Sequence, residues 1–244
     1  MRTMKKIISA FLVFSLLTVG LCSCNLFANP EELITEAEAA LADKSYTVEL
    51  AIKYESEDEK MKEAIAAFTN PHILTEVNGD DFRITMTFEK DGRENGVIYT
   101  YVDGTLYTIL DELGVTTKTS EVIDELDKKA ITDSLGQGAS IGIEDFESVK
   151  AVAKSGTGVI TCTQIKDEPL EALVEALADD MPSDTVVAIK DVILAIQLKD
   201  GLYDVTLLTC EYVITTPDSV YTLTMTYASK FTYGDVDEIV APTF

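Results

Sequence analysis

Histidine occurs once in these 244 residues and tryptophan not at all. A histidine-built zinc site, or a nucleophile paired with a downstream histidine, therefore has no material to draw on. Bases are scarce as well, with 19 Lys+Arg against 43 Asp+Glu and a formal net charge of −24. Three of those bases (Arg2, Lys5, Lys6) lie in residues 1–23, which hold no acid, so the remainder carries a net −27. Such a surface repels phosphate backbones, which excludes nucleic acid as a partner. Low-complexity runs, long Pro/Gly stretches and fixed-period repeats are absent too. What is present is an ordinary globular composition, 46% hydrophobic and 25% charged, long enough to bury a sizeable core in one domain.

The N-terminus carries an address. A basic start (MRTMKK) precedes the run Ile7 to Leu21, broken only by Ser9, Ser15 and Thr18. Fifteen helical residues span roughly 22 Å, short of the roughly 30 Å hydrocarbon core, so this reads as a secretory signal and not as a membrane span. Leu21-Cys22-Ser23-Cys24 follows. It resembles the bacterial lipoprotein signal, with an aliphatic residue at −3, a small one at −1, and then the cysteine that receives diacylglycerol. The resemblance implies cleavage before Cys24 and an acylated anchor on its thiol. Cys22 fits less well, because Leu21 would then occupy −1. The alternative is a cleaved signal without lipid. The organisation expected is signal peptide 1–23, lipidated Cys24 with a short tether to residue 29, and one domain over 30–244, held on the extracytoplasmic face of the cell membrane.

Within that domain residues 30–43 read as a helix, with Asn29 as N-cap and Leu33, Ala37, Ala40 and Leu41 at helical spacing. Residues 45–55 change to period two. Asp58 caps a short helix that Asn70-Pro71 ends. A meander follows. Phe82, Ile84, Met86 and Phe88 alternate with polar residues, as do Val97, Tyr99 and Tyr101, with turns at Asp91-Gly92 and Asp103-Gly104. Residues 119–135 read as a helix on Val122, Leu126 and Leu135, and 136–142 (GQGASIG) as a flexible loop. Two strands flank Ser155-Gly156. The periodicity of Leu170, Leu173, Val174, Leu177 and Met181 predicts a helix over 168–181. Three long strands close the chain, roughly 185–199, 202–215 and 219–233. In the last, Tyr221, Leu223, Met225, Tyr227, Phe231 and Tyr233 share a face. The class expected is α+β: a single strongly curved antiparallel sheet, one face apolar and covered by a few helices.

This layout, with the final strand Tyr221 to Tyr233 followed by Gly234 and by Ile239-Val240-Ala241-Pro242, resembles the half-barrel lipoprotein superfamily. That superfamily includes the LolA and LolB carriers and the mycobacterial LppX/LprG group. The resemblance covers 30–244 in layout and about twenty residues in motif. It implies a bent sheet whose concave face, lidded by helices, accommodates acyl chains. The basic and Arg-marked features of some carriers have no counterpart here.

Other constellations give little. Gly138-Ala139-Ser140-Ile141-Gly142 has the G-x-S-x-G spacing, yet that elbow needs a following helix and a later histidine, and His72 lies upstream. Cys162 and Cys210 could pair outside the membrane or remain two buried thiols, and a core of this size does not need the bond. The acidic stretch Glu55 to Glu59 lacks EF-hand spacing and reads as a solvated helix start. No cofactor, metal site or enzymatic activity is expected. Two readings remain. One is a membrane-anchored module that binds or carries lipid or acyl chains in a groove lined by Phe82, Ile84, Met86, Phe88, Leu223, Met225, Tyr227 and Phe231. The other is a surface lipoprotein that acts through protein contact, its partner unidentified, with no small ligand.

Overall fold

The computed structural model describes residues 28–41, 44–62, 71–90, 93–112, 114–124, 128, 131, 141–178, 181–182 and 184–243. The signal, Cys24, Ser140 and the Asp91-Gly92 turn lie outside these residues. Eleven strands form one antiparallel sheet that does not close: β1 Tyr46–Glu55, β2 His72–Asn78, β3 Asp81–Lys90, β4 Arg93–Val102, β5 Thr105–Glu112, β6 Val115–Val122, β7 Phe146–Lys154, β8 Thr157–Ile165, β9 Val186–Lys199, β10 Leu202–Thr216 and β11 Ser219–Tyr233. Among the described residues the helices α1 Pro30–Leu41 and α2 Asp167–Ala178 accompany it. The α+β class is thus as expected.

The order is β6-β5-β4-β3-β2-β1-β11-β10-β9-β8-β7. Two meanders, β1–β6 and β7–β11, are joined where the first and last strands pair over ten residues, from Tyr46 opposite Tyr233 to Glu55 opposite Thr224. Tight turns drive the meanders. Asp103-Gly104, Ser155-Gly156 and Asp200-Gly201 each have both central residues at positive φ, between 49° and 81°, the requirement of a two-residue turn matched to strand twist.

Alternation sends one set of side chains to each face. Leu50, Ile52, Ile73, Phe82, Ile84, Tyr101, Leu106, Ile160, Cys162, Leu194, Ile196, Leu198, Leu208, Cys210 and Met225 belong to a single buried cluster. Helix α1 is capped as expected, the Asn29 side chain accepting from Glu31 N at 3.1 Å, and it lays Leu33 and Ile34 on that cluster. Helix α2 adds Leu170, Leu173 and Val174. Among the described residues no helix is long and apolar enough to cross a membrane.

Two expectations need correction, and the tail adds a finding of its own. Residues 115–122, half of them the front of an expected helix, form edge strand β6, because VTTKTSEV is rich in β-branched residues and pairs with β5 from Val115–Glu112 to Val122–Thr105. The rest of that helix falls mostly outside the described residues. The end of the loop taken as flexible is packed: Ile141 is 4% exposed, and Gly142 N donates to Asp145 Oδ2 at 2.8 Å to start a short 3-10 turn, Ile143–Asp145. The short tail after β11 lies on the protein. Asn78 Nδ2 donates to Val236 O at 3.2 Å, Lys118 Nζ donates to Thr243 O at 3.0 Å, and Ile239 is 3% exposed. Asn78 and Lys118 both belong to the sheet face opposite the core by register, so the tail straps the outer face of the first meander.

Candidate functional site

The eight residues proposed as a groove share one face, as alternation requires. Register places them exactly enough to see why they do not meet. Ile84 lies in a row with Thr75, Val48 and Phe231, and Met86 in a row with Ile73, Leu50 and Ser229. β3 and β11 are therefore separated by β2 and β1, roughly 14 Å at ordinary strand spacing. Ile84 is 0% exposed and Phe82 2%, the latter stacked on Tyr101 with centroids 5.3 Å apart. Met225 is buried on β11, while Met86, Leu223 and Tyr227 are half-buried against the same cluster. Phe231 belongs to a separate aromatic group, its ring 5.4 Å from Tyr203 and 6.2 Å from Tyr46. Phe88 is half-buried on β3.

Two of the eight border open space: Met86 lines a hollow of about 220 Å³ over β3–β6, and Tyr227 lines a cavity of about 250 Å³ between α1 and strands β9–β11. Its floor consists of two adjacent rows, Leu194–Leu208–Tyr227 and Ile196–Thr206–Ser229. The second row explains the hollow. Thr206 and Ser229 are short, whereas the flanking positions hold Leu208 and Tyr227 on one side and Tyr203 and Phe231 on the other. Helix α1 supplies the roof with Ile34 and Glu38, and the segment Ile141–Glu144 closes one side. The sequence carried a signal for this place, since Ser229 is the one polar interruption in the apolar stripe of β11. Thr206 keeps the alternation of Leu208, Cys210 and Tyr212, and it is Tyr203 that reaches this face through a bulge, the register between β9 and β10 shifting at Asp204.

Electrostatically the cavity is lined by two carboxylate residues and by four residues that bear hydroxyls, Tyr203, Thr206, Tyr227 and Ser229. Glu38 and Glu144 are exposed. Burial pushes the Tyr203 and Tyr227 phenols well above their ordinary value, with the Glu38 charge adding to Tyr203 and Tyr54 to Tyr227, so both rings stay neutral in any physiological medium. Burial also pushes the Cys162 thiol up, to about 12, with Glu144 adding. Cys162 and Cys210 are free and buried, on β8 and β10 with β9 between them. Two strand spacings, roughly 9.5 Å, exceed what a disulfide can bridge. The Cys210 thiol donates to the Tyr212 hydroxyl at 3.1 Å.

The remaining candidates sit as follows. His72 opens β2, half-exposed, with Nε2 3.4 Å from Glu49 Oε1. Asp58 Oδ1 accepts from Met61 N at 3.0 Å as a helix cap, and Glu59 pairs with Lys62 at 2.6 Å. Gly142 leads into the 3-10 turn and β7, not into the helix that a nucleophile elbow requires. Among the described residues no group of three or more His, Cys, Asp or Glu is placed to hold a metal ion.

No protein-family profile and no curated protein sequence matches the chain. Among solved structures, the ywiB protein from Bacillus subtilis is similar at a TM-score of 0.20 and 9% identity, over 77% of this chain and 91% of that one. A likeness of that size carries no argument about function.

Proposed function

We propose that the protein is an extracytoplasmic lipoprotein, anchored through diacylglycerol on Cys24, that binds or carries an apolar chain on the sheet face beneath α1. The observation that carries this reading is the position of the roof. Helix α1 covers the cavity and begins at Pro30, six residues after Cys24, a reach of roughly 20 Å when extended. Ala28 N donates to Ala151 O at 3.3 Å, which lays the tether against edge strand β7. An acylated Cys24 would hold that edge and the cavity beside a reservoir of apolar chains. In this reading the sheet curves as a half-barrel. Strands of 14 and 15 residues and bulges at Asp191 and Asp204 support it, because bulges bend a sheet and sharpen its twist.

The test is extraction and native mass spectrometry of the purified full chain beside Ser229→Leu, which fills the hollow row. The wild-type chain should retain an alkyl ligand that the variant lacks. Failure of the wild type to retain alkyl amine, alcohol or acid alike removes the binding reading and leaves the protein-contact reading in its place. Contact is favoured by one feature, the tight burial of Ile84 and Phe82 where a wide groove had been expected.

A further inference from the structure

The cavity also has a chemical preference, and this inference rests on the binding reading above. Among the described residues that line it, none is Lys, Arg or His. The Lys166 ammonium lies outside the lining and donates to the Glu144 carbonyl. The lining carries two exposed carboxylate residues, Glu38 and Glu144, and the hydroxyl-bearing Tyr203, Tyr227, Thr206 and Ser229 beside Leu194, Ile196 and Leu208. Hydroxyls donate to or accept from an uncharged or cationic polar group alike. Tyrosine rings attract a cation through their faces. A carboxylate or phosphate head would meet two like charges and no counter-ion among the described lining residues, within a chain already at −24.

We propose that the site takes a single-chain amphiphile with a cationic or neutral head, its chain on the Leu194–Ile196–Leu208 floor and its head between the hydroxyls and the Glu38 and Glu144 carboxylates, and rejects anionic heads. Selection of this kind separates the ligand from the anionic lipids of the surface to which the protein is tethered. The head gains charge attraction at these exposed carboxylates, where water still reaches, so the preference weakens as salt rises.

The experiment uses the full chain in nanodiscs of zwitterionic lipid, offered decylamine, decanol and decanoate at equal concentration. Retained ligand is counted by native mass spectrometry, with Ser229→Leu as background. The expected order is decylamine, then decanol, then decanoate, with about a tenfold spread from first to last. The double variant Glu38→Gln/Glu144→Gln should compress that spread toward equality. Equal retention of all three, or preference for decanoate, overturns the head-group selection while leaving the binding reading intact. Retention of none above the Ser229→Leu background overturns both.

Discussion

At the scale of single residues, the contribution of a side chain follows from how many neighbours it loses when cut back. Ile84, wholly enclosed in the centre of β3, cannot be replaced by its surroundings, so Ile84→Ala should cost about 2–5 kcal/mol. Urea unfolding followed by far-UV circular dichroism measures it. A loss below 1 kcal/mol would mean that the site collapses around the deletion. Titration supplies a second residue-scale prediction. Cys162 stays protonated in the folded state up to about pH 12, while the unfolded thiol ionises near its ordinary value of 9.0. Below pH 9 both states hold the proton and the group does not affect stability. Above it the unfolded state loses protons that the native state keeps, so stability falls as pH rises from about 9 toward 12. Tyr203, Tyr212, Tyr227 and Tyr233, all raised chiefly by burial, steepen the fall above pH 10. The urea midpoint should decline between pH 8.5 and pH 10.5, and Cys162→Ala should decline less steeply over the same interval. Identical slopes would show that other groups carry the effect.

At the scale of elements, β9 shows how one residue redirects a strand. Val187 and Ile189 are buried, then Val192, Leu194, Ile196 and Leu198 are buried, so the buried parity changes from odd to even. The change occurs at Asp191, which has φ of 50° and is the extra residue opposite β10. Deleting Asp191 should turn either Val187 and Ile189 or the four residues beyond them to the wrong face. Losing the first pair alone would cost about 1.5–3 kcal/mol for each side chain, whereas Asp191→Gly, which relieves the positive φ, should be neutral or stabilising. Denaturant melts of the two variants distinguish these outcomes. Much of the element plan was legible from the sequence, because two-sided alternation and Asp-Gly turns are local signals. The elements that escaped have identifiable reasons. β2 is seven residues long, with its polar Thr75 on the core face, which breaks the alternation. β6 exposes all eight residues, so no buried period marks it, and Val122 at helical spacing from Leu126 suggested the wrong element. Tyr203 joins the face of Thr206 and Leu208 through a bulge at Asp204 that composition does not announce.

At the scale of the whole molecule, the two chain ends perform the assembly. β11 returns to β1 and unites two meanders, and the tail then crosses the outer face to β6. Truncation after Gly234 removes the burial of Ile239, the bond from Asn78 to Val236, and the charge of Asp237 that favours Arg83. It should lower stability by about 2–4 kcal/mol and speed hydrogen exchange in β2 and β3. Unchanged exchange there would mean that the strap is dispensable. The anchor is tested at the same scale: Cys24→Ala should abolish detergent-phase partition or leave an uncleaved precursor, while Cys22→Ala should not, and normal processing of Cys24→Ala would remove the anchor from the proposal.

The sequence by itself determined the α+β class, the strand faces, the type of turn and the sign of the surface charge. Each of these depends on residues adjacent in the chain or on a simple sum over it. Tertiary structure alone decided that the two meanders join through β1 and β11, that the tail is a strap, and that a cavity lies under α1 and not between β3 and β11. The cavity exists because short residues on β10 and β11, Thr206 and Ser229, fall into one row beside Ile196 of β9. Row membership is a property of pairing register, set jointly by three strands and a bulge, and no single segment of sequence contains it.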